Sequence, residues 1–252
     1  MLKTNWLLDK LRNTSLPCVG TWITLPSPEV VDVICSTGPD FVVIDTEHAS
    51  ITFETAQVMA MACESRQVSP VYRVPAVLDD RIVPALEIGS HAIQAPNIGS
   101  PEMARAFVSA ARYQPIGSKG LSPYTRACNY SADFAGQMVE RANSNTLLIA
   151  QIEGREGIEN IDAILAVDNI DVCFLGMFDL SNYLGIPGLL NDPRLKELFL
   201  YAGMIVGSIA NSADQLDFLV KAGVRYITYS ADCHVLSKAY REVFSLVQSY
   251  QS

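Results

Sequence analysis

The chain has 252 residues, 49% of them hydrophobic and 18% charged, which is ample for one α/β barrel or for two smaller domains. Its net charge of −9 argues against nucleic acid and anionic membrane surfaces as partners, because polyanions repel such a surface. An anionic substrate must then be drawn in by a local feature such as a metal or an arginine.

The N-terminal MLKTNWLLDKLRN reads as a short amphipathic helix and not a signal peptide, since charges interrupt it. Apolar, β-rich runs then alternate with helical patterns. Strands are predicted at 19–23 (VGTWI), 41–45 (FVVID), 71–74 (VYRV), 92–95 (AIQA), 147–153 (LLIAQIE), 172–176 (VCFLG), 204–210 (MIVGSIA) and 225–230 (RYITYS). Helices are predicted between them at 28–38, 52–66, 80–89, 101–112, 134–144, 157–167, 193–200 and 213–223, and a last one at 232–249. Ser27-Pro28 and Ser100-Pro101 read as N-caps followed by a first-turn proline. The longest uncharged run, 199–213, is broken by glycines and too short to span a bilayer.

Eight near-continuously apolar strands separated by helices predict a parallel sheet buried on both faces, and eight strands close a barrel. No linker splits the chain, so residues 1–252 read as one domain. A doubly wound open sheet is the rival, but the turn after the first strand, TLPSPE, lacks its usual glycine. The one long connection, 115–130, is of a length usually tied to function or to an oligomer contact. Six cysteines without CxxC spacing read as reduced core thiols, which implies a cytoplasmic protein without a thiolate zinc site.

In such a barrel all strand tips meet at one mouth. Here the tips carry Asp45 and His48, Arg73, Glu153 and Asp179. Glu153 and Asp179 end consecutive strands and offer hard oxygen ligands suited to Mg²⁺ or Mn²⁺; as the alternative, each caps its following helix. Asp45, three residues before His48, can orient the imidazole for proton transfer, unless His48 merely packs in its loop. Arg73 inside an apolar strand needs anions: a substrate oxygen or a salt bridge with Asp45 or Glu47, two readings that are compatible. Arg126 either holds a substrate carboxylate or pins the long loop. The backbone of GMFDLS (176–181) could bind a carboxylate at a helix start. His91, at the far end of strand four, and His234, in the last helix, read as structural.

Several segments follow one another in the order of a known family: FVVIDTEHA, VYRVP, ALEIGSHAIQAP, ARYQPIGSKG, LIAQIEGREGIENIDAIL and LGMFDLSNYLG. Through them the chain resembles the HpcH/HpaI aldolases, the metal-dependent class II pyruvate aldolases, from about residue 20 to 232. The resemblance implies a (β/α)₈ TIM barrel, commonly assembled as a hexamer, whose last helix packs on a neighbouring subunit. It implies that Glu153 and Asp179 hold Mg²⁺, Mn²⁺ or Co²⁺, which a 2-oxoacid chelates. Arg73 would stabilise the enolate, His48 held by Asp45 would move protons, and Gly176, Phe178 and Asp179 would contact the carboxylate. Glu87 stands where the family has an aspartate that reaches a neighbour's site. Met177 replaces a proline and Thr46 a glycine, and the helix before strand seven is shorter by roughly ten residues, about 15 Å.

The expected activity is cleavage of a 4-hydroxy-2-oxoacid to pyruvate and an aldehyde. The alternatives are a citrate-synthase-like enzyme that condenses an enolate with a carboxylated acceptor, and a barrel that binds without catalysis.

Overall fold

Eight parallel strands close on themselves in chain order: β1 (Cys18–Ile23), β2 (Phe41–Asp45), β3 (Ser69–Arg73), β4 (Ala92–Ala95), β5 (Leu147–Ile152), β6 (Val172–Leu175), β7 (Ile205–Ala210) and β8 (Tyr226–Ala231). This computed structural model describes residues 4–133, 135–189, 192–194 and 205–250, and the side chains of all these but 248 and 249. The helix expected at 193–200, and with it the shortening before strand seven, lies outside the described residues apart from 193–194.

Every position of β2 through β6 is buried, because the inward side chains fill the barrel and the outward ones meet helices. Phe41 and Val43 join an inner cluster with Val71, Ile149, Phe174 and Tyr226, while Val42 and Ile44 join the outer layer. The same alternation turns the last residue of β2, Asp45, inward with Arg73 and Gln94. Strand register sets Asp45 beside Arg73 and Arg73 beside Gln94.

Helix α1 (Trp6–Asn13) seals the N-terminal end of the barrel, with Leu7, Leu8 and Leu11 in the inner cluster. Asn5 ties it down by donating to the carbonyls of His91 and Asn145, both at 2.7 Å. Helices α2 (Pro28–Cys35) and α5 (Pro101–Ala111) start at Ser27 and Ser100, whose hydroxyls accept from Val30 and Met103. Between them lie α3 (Phe53–Ser65) and α4 (Asp79–Glu87), and after them α6 (Ala135–Asn145). The helix predicted at 157–167 is two short ones, α7 (Arg155–Glu159) and α8 (Ile161–Leu165). They break at Asn160, whose amide donates to the carbonyl of Gly99 at 2.9 Å.

The chain then runs through α9 (Met177–Tyr183), α10 (Ala213–Lys221) and the closing α11 (Asp232–Ser249). First and last strands are joined at Asp232. Its buried carboxylate accepts from the backbone of Thr24 and Leu25, both at 3.0 Å, from the Thr24 hydroxyl and from the Cys233 amide. Beyond that joint α11 leaves Val235, Leu236, Tyr240, Val243 and Phe244 exposed. All six cysteines are free thiols, five of them buried. No helix among the described residues is long and apolar enough to cross a membrane.

Candidate active site

The mouth at the C-terminal ends of the strands holds two adjoining cavities of about 350 and 290 Å³, which share His48, Glu153 and Asp179. The larger also takes in Asp45, Arg73, Gln151 and Gly176, with Trp22, Phe174 and Ile209 as apolar walls. The smaller takes in Glu47 and Asn97. The strand tips singled out in the sequence therefore converge: Asp45 and Arg73 end β2 and β3, Glu153 follows β5, and Asp179 sits in the first turn of α9.

Arg73 is buried and lies 4.3 Å over the Trp22 ring. Asp45 accepts from its Nε at 2.9 Å and from its Nη2 at 2.6 Å, and Glu47 Oε2 lies 3.1 Å from Nη1. Two of the five guanidinium N–H groups thus donate to Asp45, while Nη1 is ion-paired with Glu47 without a hydrogen bond, which leaves part of the fork for a substrate. Both partners considered for Arg73 in the sequence are engaged at once.

Asp45 does not hold the His48 ring. Its Oδ1 accepts the backbone N–H of Glu47 at 3.0 Å and of His48 at 3.3 Å, and its remaining capacity goes to Arg73. The His48 side chain is 67% exposed, and its Nε2 lies 3.9 Å from Glu47 Oε2. Asp45 therefore fixes the turn that carries His48, while the carboxylate beside the imidazole is that of Glu47. That Glu47 oxygen is buried without a hydrogen-bond partner. Burial above all, with Glu153 and Asp45 nearby, raises the Glu47 pKa from its ordinary value.

Glu153 is 6% exposed, and both its oxygens are anchored. Oε1 accepts the Asn97 amide at 2.9 Å, and Oε2 accepts Gln151 Nε2 at 2.5 Å. Burial, reinforced by Asp179, raises its pKa. Gly176 makes room for it, since a Cβ there would sit 2.6 Å from Glu153 Cβ and 2.7 Å from Oε2. Phe178 and Asp179 are exposed at the rim, while Met177 is buried beneath them.

Four carboxylates thus gather at a mouth whose described lining includes Arg73 and no other arginine or lysine. With Asp45 matched to Arg73, the acidic remainder calls for a cation before an anionic substrate can enter. Among the described residues no three His, Cys, Asp or Glu side chains form a closed cage. The anchored Glu153 and the exposed Asp179, which leave positions for water and substrate oxygens, fit a hard divalent ion.

A further sequence expectation changes. Arg126 is not at the mouth: it is buried, its Nη2 and Nη1 meet the Glu64 carboxylate at 2.6 and 3.2 Å, and Nη1 donates to the Ile88 carbonyl at 2.9 Å. A guanidinium so matched has nothing to offer a substrate, so Arg126 takes the other expected role and pins the 115–130 loop against the C-terminal ends of α3 and α4. Glu87, the last residue of α4, was expected at a neighbouring subunit's site and not its own; it lines neither cavity of its own mouth and lies 3.5 Å from Lys119. Asn97, Gln151 and Trp22 went unassigned, and Glu47 was considered only as a partner of Arg73. For Gln151 the signal was present, since QIE in a strand puts Gln151 and Glu153 on one face.

The HpcH/HpaI aldolase/citrate lyase family matches residues 19–224. The hydroxypyruvate/pyruvate aldolase of Sagittula stellata is 30% identical over 229 residues, 88% of this chain and 89% of that protein. A crystal structure of an HpcH/HpaI aldolase/citrate lyase family protein from Burkholderia cenocepacia J2315 superposes with a TM-score of 0.89 at 28% identity, covering 97% of this chain and 100% of that one. The citrate synthase SbnG superposes with a TM-score of 0.84 at 30% identity, covering 98% of each chain.

Proposed function

The chain belongs to the HpcH/HpaI aldolase/citrate lyase family, a family of divalent-metal-dependent lyases, and on that premise we propose that it is a class II aldolase which cleaves or forms a 4-hydroxy-2-oxoacid from pyruvate and an aldehyde. The observation that carries this reading is one mouth in which Glu153 and Asp179 share space with Arg73 and His48.

Glu153 and Asp179 would hold Mg²⁺ or Mn²⁺, with Co²⁺ as a substitute. When bound, the ion supplies Lewis-acid polarisation of the oxoacid's keto oxygen. The remaining steps belong to the protein. The first-turn amides around Phe178 and Asp179, beside Gly176, receive the substrate carboxylate. His48 takes the proton of the 4-hydroxyl through a water. The C3–C4 bond then breaks, its electron pair becomes the enolate of pyruvate beside the N–H groups of Arg73 that Asp45 leaves open, and a proton returns to C3. Asp45 keeps Arg73 and the His48 turn in place. Trp22, Phe174 and Ile209 offer the aldehyde an apolar wall. The exposed face of α11 packs on a second copy in a homohexamer, and Glu87 contributes to a neighbouring copy's mouth.

Exchange of the pyruvate methyl protons with deuterium tests this without knowledge of the aldehyde. Wild type should exchange with Mg²⁺, Mn²⁺ or Co²⁺, and Glu153→Ala should not. Absence of exchange with every metal, or undiminished exchange after exhaustive chelation, would refute the proposal.

Similarity to the citrate synthase SbnG favours a second reading, condensation with a carboxylated acceptor. The displacement of Arg126 from the mouth weakens it, because an extra carboxylate would meet Glu47 and Asp179 with Arg73 already committed. Faster turnover with carboxylated acceptors than with neutral aldehydes would restore it.

A further inference from the structure

A line of polar side chains runs through the apolar interior of the barrel and ends on Glu153. The Tyr226 hydroxyl donates to Gln94 Oε1 at 3.4 Å, Gln94 Nε2 donates to Gln151 Oε1, and Gln151 Nε2 donates to Glu153 Oε2 at 2.5 Å. Tyr226 and Gln94 are wholly buried and Gln151 nearly so. Around them lie Phe41, stacked on Tyr226 with centroids 4.3 Å apart, and Phe174, edge-on at 6.0 Å.

The direction of this line follows from its last member. An ionised carboxylate only accepts hydrogen bonds, so Gln151 must present its NH₂ to Glu153 and its oxygen to Gln94. Gln94 must then present its own NH₂ to Gln151 and its oxygen to Tyr226, which is left as the donor. Either amide turned over would set oxygen against oxygen where both side chains are buried. Each link therefore permits one orientation of the next, and the orientation that reaches Glu153 is the one that holds its carboxylate from below. Apolar side chains of similar volume would fill the same space with no polar group to satisfy.

We infer that Gln94 and Tyr226, from the barrel interior, are positioning residues that lock the Gln151 amide and through it the cation-ready placement of Glu153. This inference rests on the assignment of Glu153 as a metal ligand. Gln94 and Tyr226 line neither mouth cavity, and their effect passes through Gln151 alone.

Mn²⁺ titration calorimetry on the full chain, without substrate, tests it. Gln151→Met and Gln94→Met should each weaken binding about tenfold, in the range for outer-shell partners of metal ligands. Tyr226→Phe, which removes one oxygen and keeps the ring stack, should weaken it about threefold. The deciding measurement is the cycle: in a Gln151→Met background, adding Gln94→Met or Tyr226→Phe should change the Kd by less than about twofold. A purely structural loss would not vanish when Gln151 is gone. Wild-type affinity in both Gln94→Met and Tyr226→Phe, or effects that multiply in the double variants, would overturn the inference. If Gln94→Met does not fold, the Tyr226→Phe cycle decides alone. Wild-type Mn²⁺ affinity in Glu153→Ala would instead overturn the ligand assignment itself.

Discussion

Asp45 and Arg73, in register on neighbouring strands, meet in a two-point ion pair at 2.9 and 2.6 Å. Both side chains are nearly excluded from solvent, so each is costly without the other. Arg73→Lys should fold but lose the planar fork that Asp45 and Trp22 hold, and kcat for pyruvate methyl exchange should fall at least ~100-fold. Asp45→Ala should cost about 3 kcal/mol, a Tm loss on the order of 6–12 °C. Calorimetry and exchange rates check both, and a fully active Arg73→Lys enzyme would remove Arg73 from the mechanism.

Gly176 allows Glu153 to lie against the β6–α9 turn. Its Cβ in Gly176→Ala would overlap Glu153 Cβ and Oε2, at 2.6 and 2.7 Å. The carboxylate must then move, and Mn²⁺ affinity should fall by more than about tenfold. Far-UV circular dichroism should stay that of wild type. An unchanged isotherm would show that Glu153 need not be where it is seen.

Burial raises the pKa of Glu47 above its ordinary 4.5. The folded chain therefore holds that proton more tightly than the unfolded chain does. Its contribution to stability is complete below the unfolded value and drains away as pH rises through the folded one. In the metal-free protein, the Tm of Glu47→Gln relative to wild type should accordingly climb between about pH 4 and about pH 7. A difference that stays level or falls across that range contradicts the assignment.

Arg126 and Glu64 form a buried pair that carries the 115–130 loop and not the chemistry. Arg126→Met takes the two-nitrogen partner from the buried Glu64 carboxylate and should cost about 3 kcal/mol. At a temperature where the variant is folded, the KM for pyruvate should stay within about twofold of wild type. A tenfold rise in KM with unchanged Tm would return Arg126 to the substrate.

Along α11, Val235, Leu236, Tyr240, Val243 and Phe244 are all about half exposed or more. If a second copy covers them, sedimentation should give a multiple of the 27.5 kDa chain mass. Phe244→Asp should shift it toward the monomer, and a monomeric wild type would leave the face without that partner.

The barrel was legible because its strands are short, apolar and punctuated, and strand tips in a closed barrel can only converge. That logic brought Asp45, Arg73, Glu153 and Asp179 to one mouth without coordinates. It could not say which polar neighbour each would choose. Asp45 lies three residues from His48 in the chain, but the register puts Arg73 at its side, and a charged fork outbids an imidazole that can reach water. Arg126 went astray for a related reason: a loop's direction of travel is not written in local periodicity, and Glu64, its partner, is 62 residues away. The break at Asn160 depends on a bond to Gly99, 61 residues distant. Polar pairing across the fold was the part that sequence left open.

Asp232 stitches the segment after the first stave to the end of the eighth, holding Thr24 and Leu25. A ribosome must therefore release the chain through all eight staves before the rim beneath Trp22 and Arg73 can become a continuous ring. Nascent fragments that stop short of this residue should be open troughs, incompetent in catalysis however well their earlier staves have paired.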